Sequence, residues 1–177
     1  MSNFFELIEK RESCRAYSEK EVEKEKLIKC IEAARLAPSA CNSQPWSFVV
    51  VNGEKSPDVA KCTQKGGMNK FTNGAKAFIV ISEENATLSA KIASIISSQT
   101  YAQIDIGIAT SHICHAATEQ GLSTCILGWF DEKKLAEVLN LPKNKRIRLV
   151  ISVGYAAEGE LRTKKRKAID DICQYVE

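Results

Sequence analysis

The stretch Tyr101 to Gln120 constrains the fold more than any other part of the sequence. Drawn as a helix, it carries isoleucine and alanine side chains around its whole circumference, and Gly121 ends it. A surface helix of a globular protein has one apolar stripe, whereas a helix that is apolar all round lies inside the protein. The sequence therefore predicts a central buried helix around which the other elements pack.

Shorter patterns predict the elements that surround this helix. Ser2 can cap a first helix, Ser18 with Glu21 is typical of a capping box, and the second helix is expected to end near Ala37. Asp131 can cap a later helix in the same way. Apolar and β-branched runs predict four strands: Trp46 to Val51, Phe78 to Ile81, Leu122 to Leu127 and Ile147 to Tyr155.

The order of these elements indicates the fold class. Helices and strands are interleaved without a regular βαβ rhythm, which favours an α+β layered domain over a doubly wound parallel sheet. A chain of 177 residues is long enough for one domain, 1–177, and too short for two ordinary ones. The segment Lys61 to Gly74 is polar and has two glycines at its middle, so it predicts a mobile loop.

Composition excludes several classes of partner. The 25 basic and 22 acidic residues give a net charge of +3, which is too small to indicate general nucleic-acid binding. No apolar run reaches the length of a membrane span, and residues 1–6 lack the apolar core of a secretory signal. Seven scattered cysteines without a C-x-x-C pair fit a reducing compartment, so we expect a soluble cytoplasmic protein.

His112, Cys114 and His115 form the one cluster of metal-ligating residue types in the sequence. The surrounding segment, Ile104 to Ala117, is apolar on nearly every face. A buried core helix is therefore the favoured interpretation, and a metal site is the minor alternative. The phosphate-binding patterns G-x-G-x-x-G and Walker A are both missing, so any nucleotide must be held in another way.

Two cationic segments lie at opposite ends of the chain, and a polar loop follows the second predicted helix. If the ends converge they build an anion site, because arginine supplies paired donors to phosphate oxygens; taken alone, each segment is equally a surface salt-bridge network. Amides and hydroxyls of the loop can bind a flat polar ring or satisfy their own backbone. The segments are Arg11, Ser13 and Arg15, then Lys164 and Arg166, and the loop is Ala37 to Trp46.

These segments resemble motifs of the FMN-dependent nitroreductase family. Arg11-Glu12-Ser13-Cys14-Arg15-Ala16-Tyr17 is similar to the family's R-x-S-x-R-x-aromatic motif, and Ala37 to Trp46 matches its A-P-S-x-x-N-x-Q-P-W signature. Asp105 to Gly121 resembles the family's core helix, Leu127-Gly128 its flavin-facing turn, and Lys164-x-Arg166 its C-terminal phosphate-binding pair.

The resemblance implies an α+β fold with a central mixed or antiparallel sheet, and an interlocked homodimer with FMN at the interface. Electrons would pass from NADH or NADPH to small acceptors such as nitroaromatics or quinones by a ping-pong mechanism, and no side chain need act as acid, base or nucleophile. By the family pattern, one subunit's Arg11, Ser13, Arg15, Lys164 and Arg166 hold the phosphate, the other subunit contributes Pro38, Ser39 and Asn42, and the N–H groups of Leu127 and Gly128 face the flavin ring.

The sequence departs from the family pattern at two positions. Glu12 stands where many members carry a second arginine, and Leu127 where several carry an acidic residue, so we expect a weaker field at the phosphate and an altered substrate polarity. The region Lys61 to Asn85 is shorter than in larger members. Two alternatives stay open: other flavin chemistry of the superfamily, namely reductive dehalogenation or reduction by a protein donor, and a non-catalytic flavin sensor or store.

Overall fold

The computed structural model describes residues 3–142, 144–159 and 161–177 of the chain, without the side chain of Lys91. In chain order, the described residues form the helices and strands α1 (Phe4–Lys10), α2 (Lys24–Arg35), β1 (Trp46–Asn52), α3 (Ser56–Thr63), β2 (Ala77–Glu83), α4 (Leu88–Ser97), α5 (Tyr101–Glu119), β3 (Ser123–Leu127), α6 (Glu132–Val138) and β4 (Arg146–Gly154).

The four strands form one antiparallel sheet in the order β1-β2-β4-β3. All four were predicted from their β-branched and apolar runs. At the β3 edge, Ser13 lies in parallel beside Thr124, and the Cys14 N–H donates to the Thr124 carbonyl at 2.9 Å. The chain therefore has the predicted α+β architecture, with an antiparallel sheet that the N-terminal segment extends by a single bridge.

The two faces of the sheet carry two separate apolar cores. On β2, Ile79 and Ile81 pack with α2 and α5, while Phe78 and Val80 pack on the opposite face. This division follows from the alternation of side chains along a strand. Leu135 of α6 closes the second core together with residues of α3. The result is three layers, helices on both faces of one sheet, and all five of these side chains are almost fully buried.

Helix α5 is the central helix that the sequence predicted, with one difference. Its Ile106, Ala109 and Ile113 are buried against α2 and the sheet. A stripe that includes Ile104 and Gly107 is exposed in the single chain. The apolar residues of α5 therefore form two groups, one buried in the core of the chain and one on its surface.

The prediction of a mobile loop from Lys61 to Gly74 is wrong. The segment contains the end of α3 and two short 3-10 turns, and the buried hydroxyls of Thr63 and Thr72 share a hydrogen bond of 2.9 Å. The Asn69 amide donates to the Thr63 carbonyl at 3.1 Å. Polar residues here satisfy one another inside the fold, and a polarity pattern cannot distinguish this from solvation.

Two predicted helix caps also differ from the structure. Helix α2 begins at Lys24 behind Glu23, which makes no side-chain cap bond, so the capping box of Ser18 and Glu21 is wrong. The Ser18 N–H instead donates to the Tyr155 carbonyl at 2.9 Å. Helix α1 is capped by the side chain of Asn3, and Ser2 lies outside the described residues.

Asp131 caps α6 as predicted, by accepting from the Lys134 N–H at 3.2 Å. Among the helices of the described ranges, none is long and apolar enough to cross a membrane.

Candidate functional site

Backbone hydrogen bonds bring the two ends of the chain together. The N-terminal segment lies between the β3 edge and the residues that follow β4: Cys14 bonds to Thr124, and the Ala157 N–H donates to the Ala16 carbonyl at 3.0 Å. Tyr17 forms an antiparallel bridge with Ala156. The cationic segment around residues 11–15 is therefore fixed beside the start of the C-terminal tail.

Tyr17 holds this junction to the sheet. Its hydroxyl shares a hydrogen bond of 2.8 Å with the Ser152 hydroxyl, and burial raises the pKa of the phenol, so it stays neutral. The ring lies over Gly154, where an added Cβ would be 2.7 Å from Cδ1 of Tyr17. Glycine is required at this position because the tyrosine ring approaches the backbone closely.

The converging ends line a cavity of about 340 Å³. It contains all five residues predicted to hold a phosphate, so the structure brings them together across the length of the chain. Six of its lining side chains are cationic and one is a carboxylate. The described lining residues are Arg11, Glu12, Ser13, Arg15, Arg162, Thr163, Lys164, Lys165 and Arg166. We call this cavity the cation pocket.

Arg162 is a member of the cation pocket that the sequence interpretation missed. Its Nε lies 3.3 Å from Oε2 of Glu12, and its Nη2 donates to the Ser13 carbonyl. Lys164 reaches back across the same junction to the Glu9 carbonyl. Glu12 therefore fixes one guanidinium at the rim of the pocket. Arg162 could have been found from the sequence, because it lies two residues before Lys164 at the start of the basic stretch 162–167.

The polar loop Ala37 to Trp46 forms a separate structure elsewhere on the chain. Ser39 Oγ accepts from the Gln44 N–H at 2.9 Å, and the Gln44 amide donates to Oδ1 of Asn42 at 3.2 Å. Pro38 and Asn42 are exposed. None of Pro38, Ser39 and Asn42 is among the described residues that line the cation pocket. Within one chain, the two predicted halves of the site do not meet.

The predicted flavin-facing turn lies at the end of β3. Leu127 is buried, whereas Gly128 is exposed and has open space where a Cβ would stand. The next residue, Trp129, donates its indole N–H to the Lys65 carbonyl at 2.8 Å, and its own carbonyl accepts from the Asn69 amide at 3.1 Å. The segment mistaken for a mobile loop therefore supports this turn.

Most of the thiols lie in the core, whereas the two histidines are half-buried. Of the seven cysteines, all free, Cys41 and Cys173 are exposed and the others are buried. Burial raises the pKa of the Cys125 thiol, against the opposing effect of Arg15. Burial, aided by Arg11, lowers the pKa of His115. Within the described ranges no three His, Cys, Asp or Glu side chains form a cluster suited to a metal.

A three-layer α+β fold carries a cation pocket whose charges suit an anion, and comparison with known proteins identifies the family. The chain belongs to the nitroreductase family, whose model matches residues 8–155. A protein of Archaeoglobus fulgidus, provisionally named NADH dehydrogenase/NAD(P)H nitroreductase, is 31% identical over 88% of this chain and 86% of its own.

Solved structures and a second relative extend the comparison. A nitroreductase family protein from Streptococcus pneumoniae superposes with a TM-score of 0.82 at 28% identity, over 98% of this chain and all of that one. An FMN-dependent nitroreductase from Clostridium difficile gives 0.71 at 32% identity, over 96% and 94%. An iodotyrosine deiodinase of Haliscomenobacter hydrossis is 25% identical over 95% of this chain and 87% of its own.

Proposed function

We propose that the protein is a homodimeric, FMN-dependent oxidoreductase that passes electrons from NADH or NADPH to small acceptors such as nitroaromatics or quinones by a ping-pong mechanism. The observation that carries the proposal is the cation pocket, in which residues from both ends of the chain converge. The name of the Clostridium difficile neighbour, FMN-dependent nitroreductase, supports the choice of cofactor.

The chemistry of the cation pocket fits a phosphate monoester. Such a group carries close to two negative charges and three strong acceptor oxygens. The pocket offers six cationic side chains, and its one carboxylate, Glu12, is paired with Arg162. Ser13 adds a hydroxyl donor. Arg11, Ser13, Arg15, Lys164 and Arg166 would hold the phosphate of FMN, with Arg162 held beside them by Glu12.

The remaining contacts would orient the flavin ring. Ser39 and Asn42 offer a hydroxyl and an amide, and Pro38 offers an apolar edge. The N–H groups of Leu127 and Gly128 would donate to the polar edge of the ring and favour its electron-rich, reduced form. Bound FMN supplies the redox chemistry, accepting two electrons from the nicotinamide and passing them to the acceptor. The protein would bind the cofactor, orient it and tune its electronic properties.

A second copy of the chain would complete the site. The cation pocket and the loop residues Pro38, Ser39 and Asn42 are separate in one chain, and large apolar side chains are exposed on α1, α4, α5 and the C-terminal tail. So many exposed large apolar side chains are typical of a surface that binds another protein chain. The residues include Phe4, Phe5, Leu88, Ile95, Ile96, Ile104, Ile172 and Val176. A dimer that buries these faces would bring the loop of one subunit to the cation pocket of the other.

Flavin binding and turnover test the proposal together. The purified protein is titrated with FMN and with riboflavin, which lacks the phosphate, and FMN should bind by orders of magnitude more tightly. The flavin-loaded protein is then assayed for NADH and NADPH oxidation against a panel of nitroaromatics and quinones. Equal affinity for the two flavins would remove the phosphate assignment, and failure to oxidise either nicotinamide would remove the donor assignment.

Reductive dehalogenation is the second candidate, and the iodotyrosine deiodinase relative favours it. The same flavin-loaded protein is assayed for halide release from iodotyrosine and halophenols under reducing conditions. Halide release faster than nitroaromatic or quinone reduction would replace the leading proposal. FMN binding without turnover of any acceptor would instead indicate a flavin sensor or store.

A further inference from the structure

Asp105 is a buried carboxylate with no part in the chemistry proposed above. It lies in the first turns of α5, is 4% exposed, and belongs to no salt bridge among the described residues. A buried carboxylate is unfavourable unless hydrogen bonds compensate for the lost water. Both of its oxygens lie 3.2 Å from the backbone nitrogen of Ala40, in the polar loop.

This contact supplies a cap that the loop lacks locally. Residues Ala40–Asn42 form a 3-10 turn in which the Ser43 N–H donates to the Ala40 carbonyl. The first N–H of such a turn has no acceptor within the turn, and a preceding serine normally accepts from the turn. Here Ser39 makes no cap bond, because its hydroxyl accepts from Gln44 instead. Asp105 therefore caps the turn from 65 residues away.

The capped turn needs such support because its backbone is strained. Cys41, Asn42 and Gln44 have φ angles of 51°, 48° and 45°, in the left-handed region that side chains with a Cβ disfavour. A strained backbone persists only when surrounding contacts hold it. The bond from Ala40 to Asp105 ties the strained turn to the central helix.

We propose that Asp105 is a positioning residue for flavin binding, because it fixes the turn that carries Ser39 and Asn42. In the proposed dimer, Asp105 and this loop belong to the same subunit, and the loop contacts the flavin held in the partner's cation pocket. The inference rests on the proposed function, since it assigns the loop to the flavin. The loop would contact the ring and ribityl chain, which FMN and riboflavin share. Loss of Asp105 should therefore weaken the binding of both flavins by the same factor, whereas loss of a phosphate contact should weaken only the binding of FMN.

Three variants separate this role from a general structural one. Asp105→Leu keeps the branched shape and the number of heavy atoms and removes the acceptor, whereas Asp105→Asn keeps an oxygen that can accept from Ala40. Thr110→Val is the matched control: Thr110 is also buried on α5, but its hydroxyl donates to the Ile106 carbonyl of the same helix at 2.7 Å. For each variant we measure the Kd of FMN and of riboflavin, and hydrogen exchange of segment 39–45 in the flavin-free protein.

Asp105→Leu should raise both Kd values about tenfold or more and remove exchange protection from segment 39–45. Asp105→Asn should keep both Kd values within about fivefold of wild type, because the asparagine oxygen still accepts the hydrogen bond, although it carries no charge. Thr110→Val should leave both Kd values unchanged. Unchanged Kd values in Asp105→Leu, a loss confined to FMN, or an equal loss in Thr110→Val would overturn the positioning role while leaving the flavoprotein proposal intact. A wild-type protein that binds neither flavin would overturn both.

Ala40→Pro tests the same bond from the other side, should Asp105→Leu fail to fold. Proline lacks the N–H, its φ suits the first position of a turn, and the extended Ser39 (φ −147°, ψ 153°) is compatible with a following proline. It should raise both Kd values as Asp105→Leu does, again by a common factor. If Ala40→Pro binds both flavins as wild type does, the bond has no positioning role.

Discussion

The cation pocket and the polar loop differ in how the fold positions their side chains. In the pocket, Arg15 and Arg166 are exposed, and backbone contacts of Cys14 and Tyr17 fix the junction at which the chain ends meet. In the loop, left-handed residues form a tight turn that a buried carboxylate caps. The pocket can bind a ligand by charge, and attraction between charges tolerates small displacements of the side chains. The loop depends on its local geometry, so small displacements would disrupt its contacts.

This difference suggests a division of labour that spans two chains. Charge compensation in the pocket would provide the affinity for a phosphate, and the shaped loop would provide the fit to the ring. Since the two regions do not meet in one chain, each proposed site would combine the pocket of one subunit with the loop of the other. The predictions below test whether the regions are separate in space and in the part of the flavin that they bind.

The largest expected effect is complementation between two variants, assayed at an FMN concentration that fills the wild-type sites and leaves the sites of either variant empty. Arg15→Ala damages the pocket and Asn42→Ala the loop, and each homodimer carries both its sites damaged. When the variants are refolded together, one site of each mixed dimer receives both lesions and the other receives neither. Random pairing makes half of the dimers mixed, so activity should recover to about a quarter of wild type.

The control for complementation is each variant refolded alone, which should stay inactive. Heterodimers are quantified by tagging one variant, so that the recovered activity can be compared with their amount. A mixture that contains heterodimers and still shows no activity would place the pocket and the loop of a site in the same chain.

The second effect is a split in flavin selectivity between the two regions. Arg15→Ala should weaken FMN binding about ten- to a hundredfold, because a charge-assisted bond to the phosphate is lost, and should leave riboflavin binding unchanged. Asn42→Ala should weaken both flavins alike. Titration of flavin fluorescence measures all four values. Arg35→Ala is the control, since Arg35 is an exposed arginine of α2 that pairs with Glu32 outside the pocket.

Stability decides whether Arg15 acts as a ligand contact. Its side chain is exposed, so the flavin-free Arg15→Ala protein should melt at the wild-type temperature, and only the stabilisation by bound FMN should be lost. Unfolding of the flavin-free variant would instead assign Arg15 a structural role.

A smaller effect is expected at the anchor of the pocket. Gly154→Ala would push a Cβ against the ring of Tyr17, which the Ser152 hydroxyl holds in place, and should reduce the free energy of unfolding by about 1–3 kcal/mol. Chemical denaturation of the flavin-free protein measures this change. Gly74→Ala is the matched control, because its added Cβ would lie 3.5 Å from Cβ of the same Tyr17, an ordinary contact, so stability should hold. Equal stability of the two variants would contradict the close approach.

The sequence predicted the elements whose patterns match their surroundings. The strands carry β-branched runs because both sheet faces are covered, and α5 carries buried apolar residues on the side that packs against α2 and the sheet. It failed at Lys61 to Gly74, where Thr63 and Thr72 satisfy each other inside the fold. It also missed α4, although Leu88, Ile92 and Ile95 recur at helical spacing.

The convergence of the chain ends could not be derived from spacing. Arg11 and Lys164 come together through bridges that join Ser13 to Thr124 and Tyr17 to Ala156, pairs that are far apart in sequence. Only the resemblance to a family anticipated this convergence. Arg162 was not predicted as a pocket residue because the family motif begins two residues later, at Lys164. The role of Asp105 was not predicted because its partner is a backbone N–H that is distant in sequence. Such a contact produces no recognisable pattern of side chains.

The smallest expected effect concerns the one thiol within the loop. Cys41 is exposed, with φ near 51°, and lies between the two proposed flavin contacts Ser39 and Asn42. If flavin carries the electrons alone, Cys41→Ser should change kcat by no more than about twofold, because serine has nearly the same shape and an exposed substitution costs little. Cys173→Ser, which alters the other exposed thiol in the C-terminal tail, is the control for thiol loss in general. Turnover abolished in Cys41→Ser with FMN still bound would assign this thiol to the chemistry, and the loop would then do more than shape the site.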